Sequence, residues 1–254
     1  MTEIKLSRRM QAVADMVSGD SGRRMTDVKA IKGDTAAYTR NVADIGCDHA
    51  FVSIYLKAKG IAGKVIAMDV KEGPLDIARA NIASYGLSDY IDVRSSDGFD
   101  ALETGEADVA IIAGMGGLLM VKILTRGKRH TDAGIELILQ PQSEIDKVRA
   151  YLRTIQYRID DEDMLMEDGK YYTIIKASPG KDRYSNPSVT DKFGPVLLEK
   201  KNATLKMYID EQKVKNQCLR KSLSHAMTPK SEKRMRELED EDKLLDVALE
   251  YFEV

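Results

Sequence analysis

Val42-Ala43-Asp44-Ile45-Gly46-Cys47-Asp48-His49-Ala50 is an apolar run that ends in an acidic, glycine-containing turn, and residues 49–59 beyond it carry helical period. Further β-rich apolar runs follow at 64–69, 91–94, 108–113 and 135–140, with helical segments at 74–85, 117–126 and 143–156 between them. Strands that alternate with helices are the pattern of a parallel sheet with crossover helices. Two more runs, 158–164 and 171–177, flank the turn Glu167-Asp168-Gly169-Lys170 and predict a hairpin. The expected fold class is α/β, a doubly wound sheet of seven strands in which five βα units finish in an antiparallel pair.

Outward from that core, Leu6, Met10, Val13 and Val17 repeat at helical spacing and predict a short amphipathic helix. Residues 18–41 read as a long polar connection, either a surface loop or a lid. On the other side, the stretch PGKDRYSNPSVTDKFGP, residues 179–195, reads as a linker by its Pro, Gly, Ser and Asn content. Beyond it Leu198, Leu205, Gln212 and Leu219 recur every seventh residue, with Asn202, Ile209, Asn216 and Leu223 on the neighbouring row. Thr228 and Pro229 offer a cap and first turn, after which Met235, Leu238, Asp242, Leu245, Leu249 and Phe252 alternate three and four apart. Two helices, 193–227 and 229–254, are expected to pair as an antiparallel coiled-coil hairpin. The expected division is a domain at 1–179 and a helical domain at 180–254.

Of 254 residues, 43% are hydrophobic and 31% charged, which suits a chain that buries a core. No apolar run approaches the roughly 18 to 20 residues of a membrane span, and the start MTEIKLSRRM is charged where a signal peptide is apolar. Cys47 and Cys218 lie in unrelated contexts, so neither a disulfide framework nor a metal site is read from them, and reducing cytoplasm is the expected location. The net charge of −2 hides its distribution. Between positions 220 and 236 the bases Arg220, Lys221, Lys230, Lys233, Arg234 and Arg236 face one acid, Glu232. Such a tip suits a phosphate backbone, recognised by shape. The bland alternative is a solvated helix pair.

The turn after the first strand is the ligand crevice of a doubly wound sheet. A dinucleotide fingerprint needs three glycines there, and only Gly46 is present. Asp44 and Asp48 would repel a pyrophosphate but suit S-adenosylmethionine, which is cationic and has no phosphate. Asp69 closes the second strand where an acid would take ribose hydroxyls, Ser96-Asp97-Gly98 follows the third, and Ala113-Gly114-Met115-Gly116-Gly117 ends the fourth. Four strand ends thus offer suitable residues, although Asp44 or Asp69 could simply brace a turn, His49 could start a helix, and Cys47 could be a packing residue.

Leu6-Ser7-Arg8-Arg9-Met10, the V-A-D-I-G-C-D-H-A turn, I-A-G-M-G-G, the following L-I-L-Q-P and the basic helical tail together resemble the bacterial tRNA adenine-N1 methyltransferases that modify the adenine at position 22. The resemblance implies a class I methyltransferase, Rossmann-like fold, S-adenosylmethionine as donor and tRNA as partner; separately, the chain is expected to act as a monomer. It implies that Asp44, Gly46, Asp48, His49, Asp69, Val70, Asp97, Gly98, Ala113 and Gly114 line the cofactor, with Arg8, Met115 and Gly116 near the target base. Two departures are the longer 18–41 connection and Gln142 where an Asn is expected. The rival readings are methylation of another RNA base or a small molecule, and a non-catalytic module whose helical pair dimerises through Gln212, Asn216 and Asp242.

Overall fold

A computed structural model describes residues 4–18, 40–225 and 228–253. The expected 18–41 connection falls almost wholly outside the described residues. Seven strands, β1 Arg40–Ile45, β2 Ala62–Asp69, β3 Ile91–Ser95, β4 Val109–Met115, β5 Glu136–Pro141, β6 Tyr157–Glu167 and β7 Lys170–Pro179, form one sheet in the order β3-β2-β1-β4-β5-β7-β6. Strands β1 to β5 run parallel, and β7 pairs antiparallel with both β5 and β6. The chain leaves β1 toward β2 on one side and returns at β4 on the other, so the carboxyl ends of β1 and β4 flank the crevice where such sheets bind ligands.

The central strands are apolar because both faces are covered. Val42, Val65, Val109, Ile111 and Ile138 face a layer with α1 Arg8–Ser18, α2 Phe51–Ala58 and α3 Glu72–Ser84. Ala43, Ile45, Ile112, Leu137 and Leu139 face the opposite layer with α4 Gly117–Arg126 and α6 Ile145–Thr154. The β6–β7 turn has Asp168 and Gly169 at φ of 50° and 72°, the backbone a two-residue hairpin requires.

One βα unit departs from expectation. Between β3 and β4 the described chain makes turns in place of a helix, and the buried side chains of Phe99 and Leu102 fill the space. Phe99 stacks on His130 of the short α5 Lys128–Asp132, with ring centroids 4.9 Å apart.

The second half of the stretch read as a linker is helical. Residues of α7 Pro187–Phe193 and α8 Pro195–Glu199 are packed down, with Val189, Phe193, Leu197 and Leu198 buried in a core that includes Met164 of β6. A buried ion pair organises the break between them. Arg149 of α6 donates from Nε to Glu162 at 2.8 Å and from Nη1 to the carbonyls of Asp191 and Lys192, while Glu162 Oε2 accepts the amide of Val196 at 2.9 Å. The guanidinium thus answers the carbonyl end of α7, and the carboxylate answers the amide start of α8. Gly194 is required between them, because a Cβ there would lie 2.7 Å from both side chains.

The single helix expected over 193–227 is instead α8 followed by α9 Ala203–Leu223, restarted by Asn202, whose side chain accepts the amide of Leu205. Thr228 caps α10 Pro229–Glu253 as expected, accepting the amide of Ser231 at 3.2 Å. The pairs Lys213–Asp246, Asn216–Asp242 and Arg220–Glu239 fall in reverse order along the two helices, so they are antiparallel. Leu205, Ile209 and Asn216 are buried along the seam, whereas Leu219 faces solvent. No helix among the described residues is long and apolar enough to cross a membrane.

Candidate functional site

At the carboxyl end of β1 the Asp44 carboxylate is 4% exposed and accepts the Ser53 hydroxyl at 2.6 Å. Burial, with a further push from the charge of Asp69, raises its pKa to about 6. The neighbouring turn is held open by left-handed backbone at Gly46, Asp48 and Ala50. At Gly46 the φ of 76° disfavours any side chain, and the methyl of Met115 lies 2.2 Å from where a Cβ would stand. The first and fourth strand ends therefore touch through a methionine laid over a glycine. Cys47 is buried, and burial together with Asp44 and Asp69 pushes its thiol well above the usual range, which makes it a packing residue rather than a nucleophile.

Asp69 links two turns. Its Oδ2 accepts the amide of Asp48 at 3.3 Å and its Oδ1 that of Lys71 at 3.0 Å, while each oxygen keeps lone-pair capacity for another donor. Val70 beside it is 63% exposed. His49 does not cap α2: its ring stands edge-on to Phe51 and 3.6 Å from the Asp48 carboxylate, and its carbonyl accepts Asn81. Asp97 and Asp100 are both paired with Arg126 from the end of α4. Gly98, at φ 67°, packs against Ile123.

The β4 end is a kinked, glycine-built crest. Its ladder with β5 shifts register between Ala113 and Met115, with Gly114 at φ 77°. The fully buried Gln140 accepts two donors on Oε1, the Gly114 amide at 3.2 Å and Arg9 Nη1 at 2.8 Å, and the Arg9 guanidinium also lies over the Tyr172 ring. Gln142, the departure noted above, donates its amide to the Met115 carbonyl at 2.8 Å and holds its side-chain nitrogen near Gly114. Gly116 starts α4, and Gly117 donates to the Ser143 carbonyl at 3.0 Å so closely that a Cβ would sit 2.4 Å from that oxygen.

Arg8 is tied to the β6–β7 hairpin, where its amide donates to Glu167 at 2.7 Å and its Nη1 to the Met166 carbonyl. The arginine at the crest is Arg9. The sequence held the signal, since Arg9 precedes the buried Val13 by four residues and Met16 by seven, on the inward face of α1, while Arg8 aligns with Gln11 and Asp15. Gln140 and Ser53 were missed because nothing local marks a buried polar residue as a brace.

At the hairpin tip, two of the six bases are already held. Arg220 pairs with Asp242 at 3.0 Å, and Arg234 with Glu237 and Glu241 at 3.0 and 3.2 Å. Lys221, Lys230, Lys233 and Arg236 stand exposed.

A family model described as tRNA (adenine(22)-N(1))-methyltransferase matches residues 42–246. The chain belongs to this family. The tRNA (adenine(22)-N(1))-methyltransferase of Bacillus subtilis is 32% identical over 99% of this chain and its own whole length. The crystal structure of the B. subtilis enzyme superposes with a TM-score of 0.80 at 32% identity, covering 97% of this chain and 100% of that one. A putative methyltransferase of the same kind from Streptococcus pneumoniae, solved in complex with S-adenosyl-L-methionine, superposes with a TM-score of 0.77 at 28% identity over 96% of this chain and 100% of its own.

Proposed function

We propose that the acidic crevice between the ends of β1 and β2 holds S-adenosylmethionine, and that the glycine crest of β4 takes the target adenine beside it. The chain is an S-adenosylmethionine-dependent methyltransferase that acts on N1 of adenine 22 in tRNA. The observation that carries the site assignment is Asp44: a buried carboxylate whose strongest electrostatic neighbour is another acid, Asp69, is a place for a cation and a poor one for a phosphate. Within this reading Gly46, Asp48, His49, Asp69, Val70, Asp97, Gly98, Ala113 and Gly114 line the donor with Asp44, and Asp97 does so while paired with Arg126. Arg8, Met115 and Gly116 lie near the target base in this reading, and Arg9, held at Gln140, joins them at the crest.

When bound, the donor supplies an electrophilic methyl on sulfur. The protein's part is alignment. The adenine N1 lone pair forms the new N–CH3 bond as the sulfur keeps the electron pair of the old one, so no proton has to leave and no general base is required. Met115, lying over Gly46 where the two strand ends meet, supplies an apolar contact for the base. The product carries positive charge, which the carboxylates of Asp44 and Asp69 favour over a cationic neighbourhood. Arg9 is held in place at the crest by Gln140 and the Tyr172 ring.

The helical part, 180–254, serves as the grip for tRNA through its tip. Lys221, Lys230, Lys233 and Arg236 are the exposed members of the set, and Arg220 and Arg234 contribute only by exchanging their acidic partners for phosphate. The hairpin closes its own polar seam, since Asn216 and Arg220 both donate to Asp242. That arrangement needs no second copy and supports a monomer; a tRNA-modifying enzyme of this kind works in the cytoplasm. The test of the site is binding of S-adenosylmethionine measured calorimetrically on Asp69→Ala and Gly114→Val, alongside turnover on a tRNA transcript. Both variants should lose binding and turnover; near-wild-type values from both reject the assignment.

A further inference from the structure

Watson–Crick pairing buries N1 of adenine, so a target adenine that is paired must leave its stack before the crest can reach it. Whatever fills the gap left behind must be apolar, exposed and next to the crest. Among the described residues, Leu118 and Leu119 meet all three conditions. They are 60% and 47% exposed and follow Gly116 and Gly117 directly, in the first turn of α4. The opposite face of that helix is buried through Met120, Ile123 and Leu124, and its start is bolted to the β5 turn through the Gly117 amide and the Ser143 carbonyl. The two leucines therefore project from a fixed base. Side chains in a helix lean toward its N-terminus, which here is the crest. One turn further on, the exposed Lys122 lies on the same face, a cation placed to meet a phosphate on the strand that the leucines enter.

We propose that Leu118 and Leu119 form a wedge that enters the tRNA stack beside the target adenine, takes the space the base vacates and keeps it from re-pairing while N1 faces the methyl donor. This rests on the β4 crest being the base site. Proteins that open or kink a duplex use apolar side chains in this way, trading lost stacking for new apolar contact. Such a role also accounts for two large aliphatic side chains left in water on a helix whose other face is buried.

The experiment uses the full-length protein with two tRNA transcripts, one with a complementary uridine opposite the target adenine and one with a non-complementary nucleotide there. The variant is Leu118→Ser with Leu119→Ser, and Leu118→Met with Leu119→Met serves as the conservative control. The serine variant should bind S-adenosylmethionine as the wild type does. It should lose about tenfold or more in kcat/KM on the paired transcript and less than about twofold on the unpaired one, with the methionine variant close to wild type on both. A transcript carrying 2-aminopurine at the target should brighten on binding the wild type and stay quenched with the serine variant. Equal loss on both transcripts, or no loss on either, overturns the wedge. Gly114→Val separates this from the underlying site reading: it should abolish turnover on both transcripts, and its retention of activity would remove the crest itself from the base site whatever the leucine variants do.

Discussion

Replacing Asp44 by asparagine should make the free protein more stable at neutral pH and unable to hold its methyl donor. The carboxylate is buried against Ser53 with another acid nearby, and its pKa rises from 3.8 to about 6. A rise of that size puts about 3 kcal/mol against the ionised form above pH 6. Asparagine keeps the shape and can still accept the Ser53 hydroxyl, but carries no charge into the core. The sign follows from proton counting. Between 3.8 and about 6 the folded protein binds more protons at this group than the unfolded chain does, so the contribution of Asp44 to stability falls as pH rises through that window. The gap between variant and wild type should be small near the lower end and approach about 3 kcal/mol above the upper end, or about 6–12 °C in melting temperature for a chain of this size. Urea denaturation of both proteins without donor, at about pH 4.5 and about pH 7.5, measures the gap, and calorimetry with S-adenosylmethionine measures the accompanying loss of affinity. Asparagine that destabilises at both pH values, or a gap that does not open with pH, would refute the reasoning. So would a variant that binds the donor as tightly as the wild type.

Converting Lys221, Lys230, Lys233 and Arg236 together to Glu should raise KM for tRNA and lower the slope of log affinity against log salt by about 3, at roughly 0.7–0.9 per phosphate contact, with donor affinity unchanged. Glu162→Gln should cost about 3–5 kcal/mol in chemical denaturation, because it leaves the Arg149 charge buried without its counter-charge. Gly117→Ala sets a methyl against the Ser143 carbonyl oxygen and should destabilise by about 1–3 kcal/mol, with a fall in kcat on tRNA as the crest shifts. Alkylation of the native protein followed by peptide mass spectrometry should label the exposed Cys218 and spare Cys47, whose thiol is buried and held protonated by neighbouring carboxylates.

The sheet was legible because its information is local. The central strands show as apolar runs, and the β6–β7 pair, whose first strand carries Asp160, Asp161, Glu162 and Asp163, shows through its Asp168-Gly169 turn, where backbone chemistry demands those residue types. The strand-end motifs were legible for the same reason. Helix α7 was not: its two anchors, Val189 and Phe193, are four residues apart within a stretch rich in turn formers, and the segment is held by Arg149 and Glu162, far away in sequence. The break before α9 was missed because the heptad runs straight through Asn202, which caps a helix instead of lying inside one. Leu219 shows how a heptad row drifts off the seam of a straight helix, with Asn216 and Arg220 meeting Asp242 in its place. At the site, two adjacent arginines with opposite fates could be told apart only by the helical face, and the engagement of Asp97 by Arg126 leaves no trace in either local sequence.

The central claim is that the crest of β4 presents N1 of one adenine to the donor held by the acidic crevice. Its most direct test is incubation of the purified protein with isotopically labelled S-adenosylmethionine and a tRNA transcript, followed by nuclease digestion and mass-spectrometric location of the labelled nucleoside. A single label on N1 of the adenine at position 22, absent when that adenine is replaced, is the predicted result. Label on an exocyclic amine, on another nucleotide, or on no nucleoside at all would contradict it.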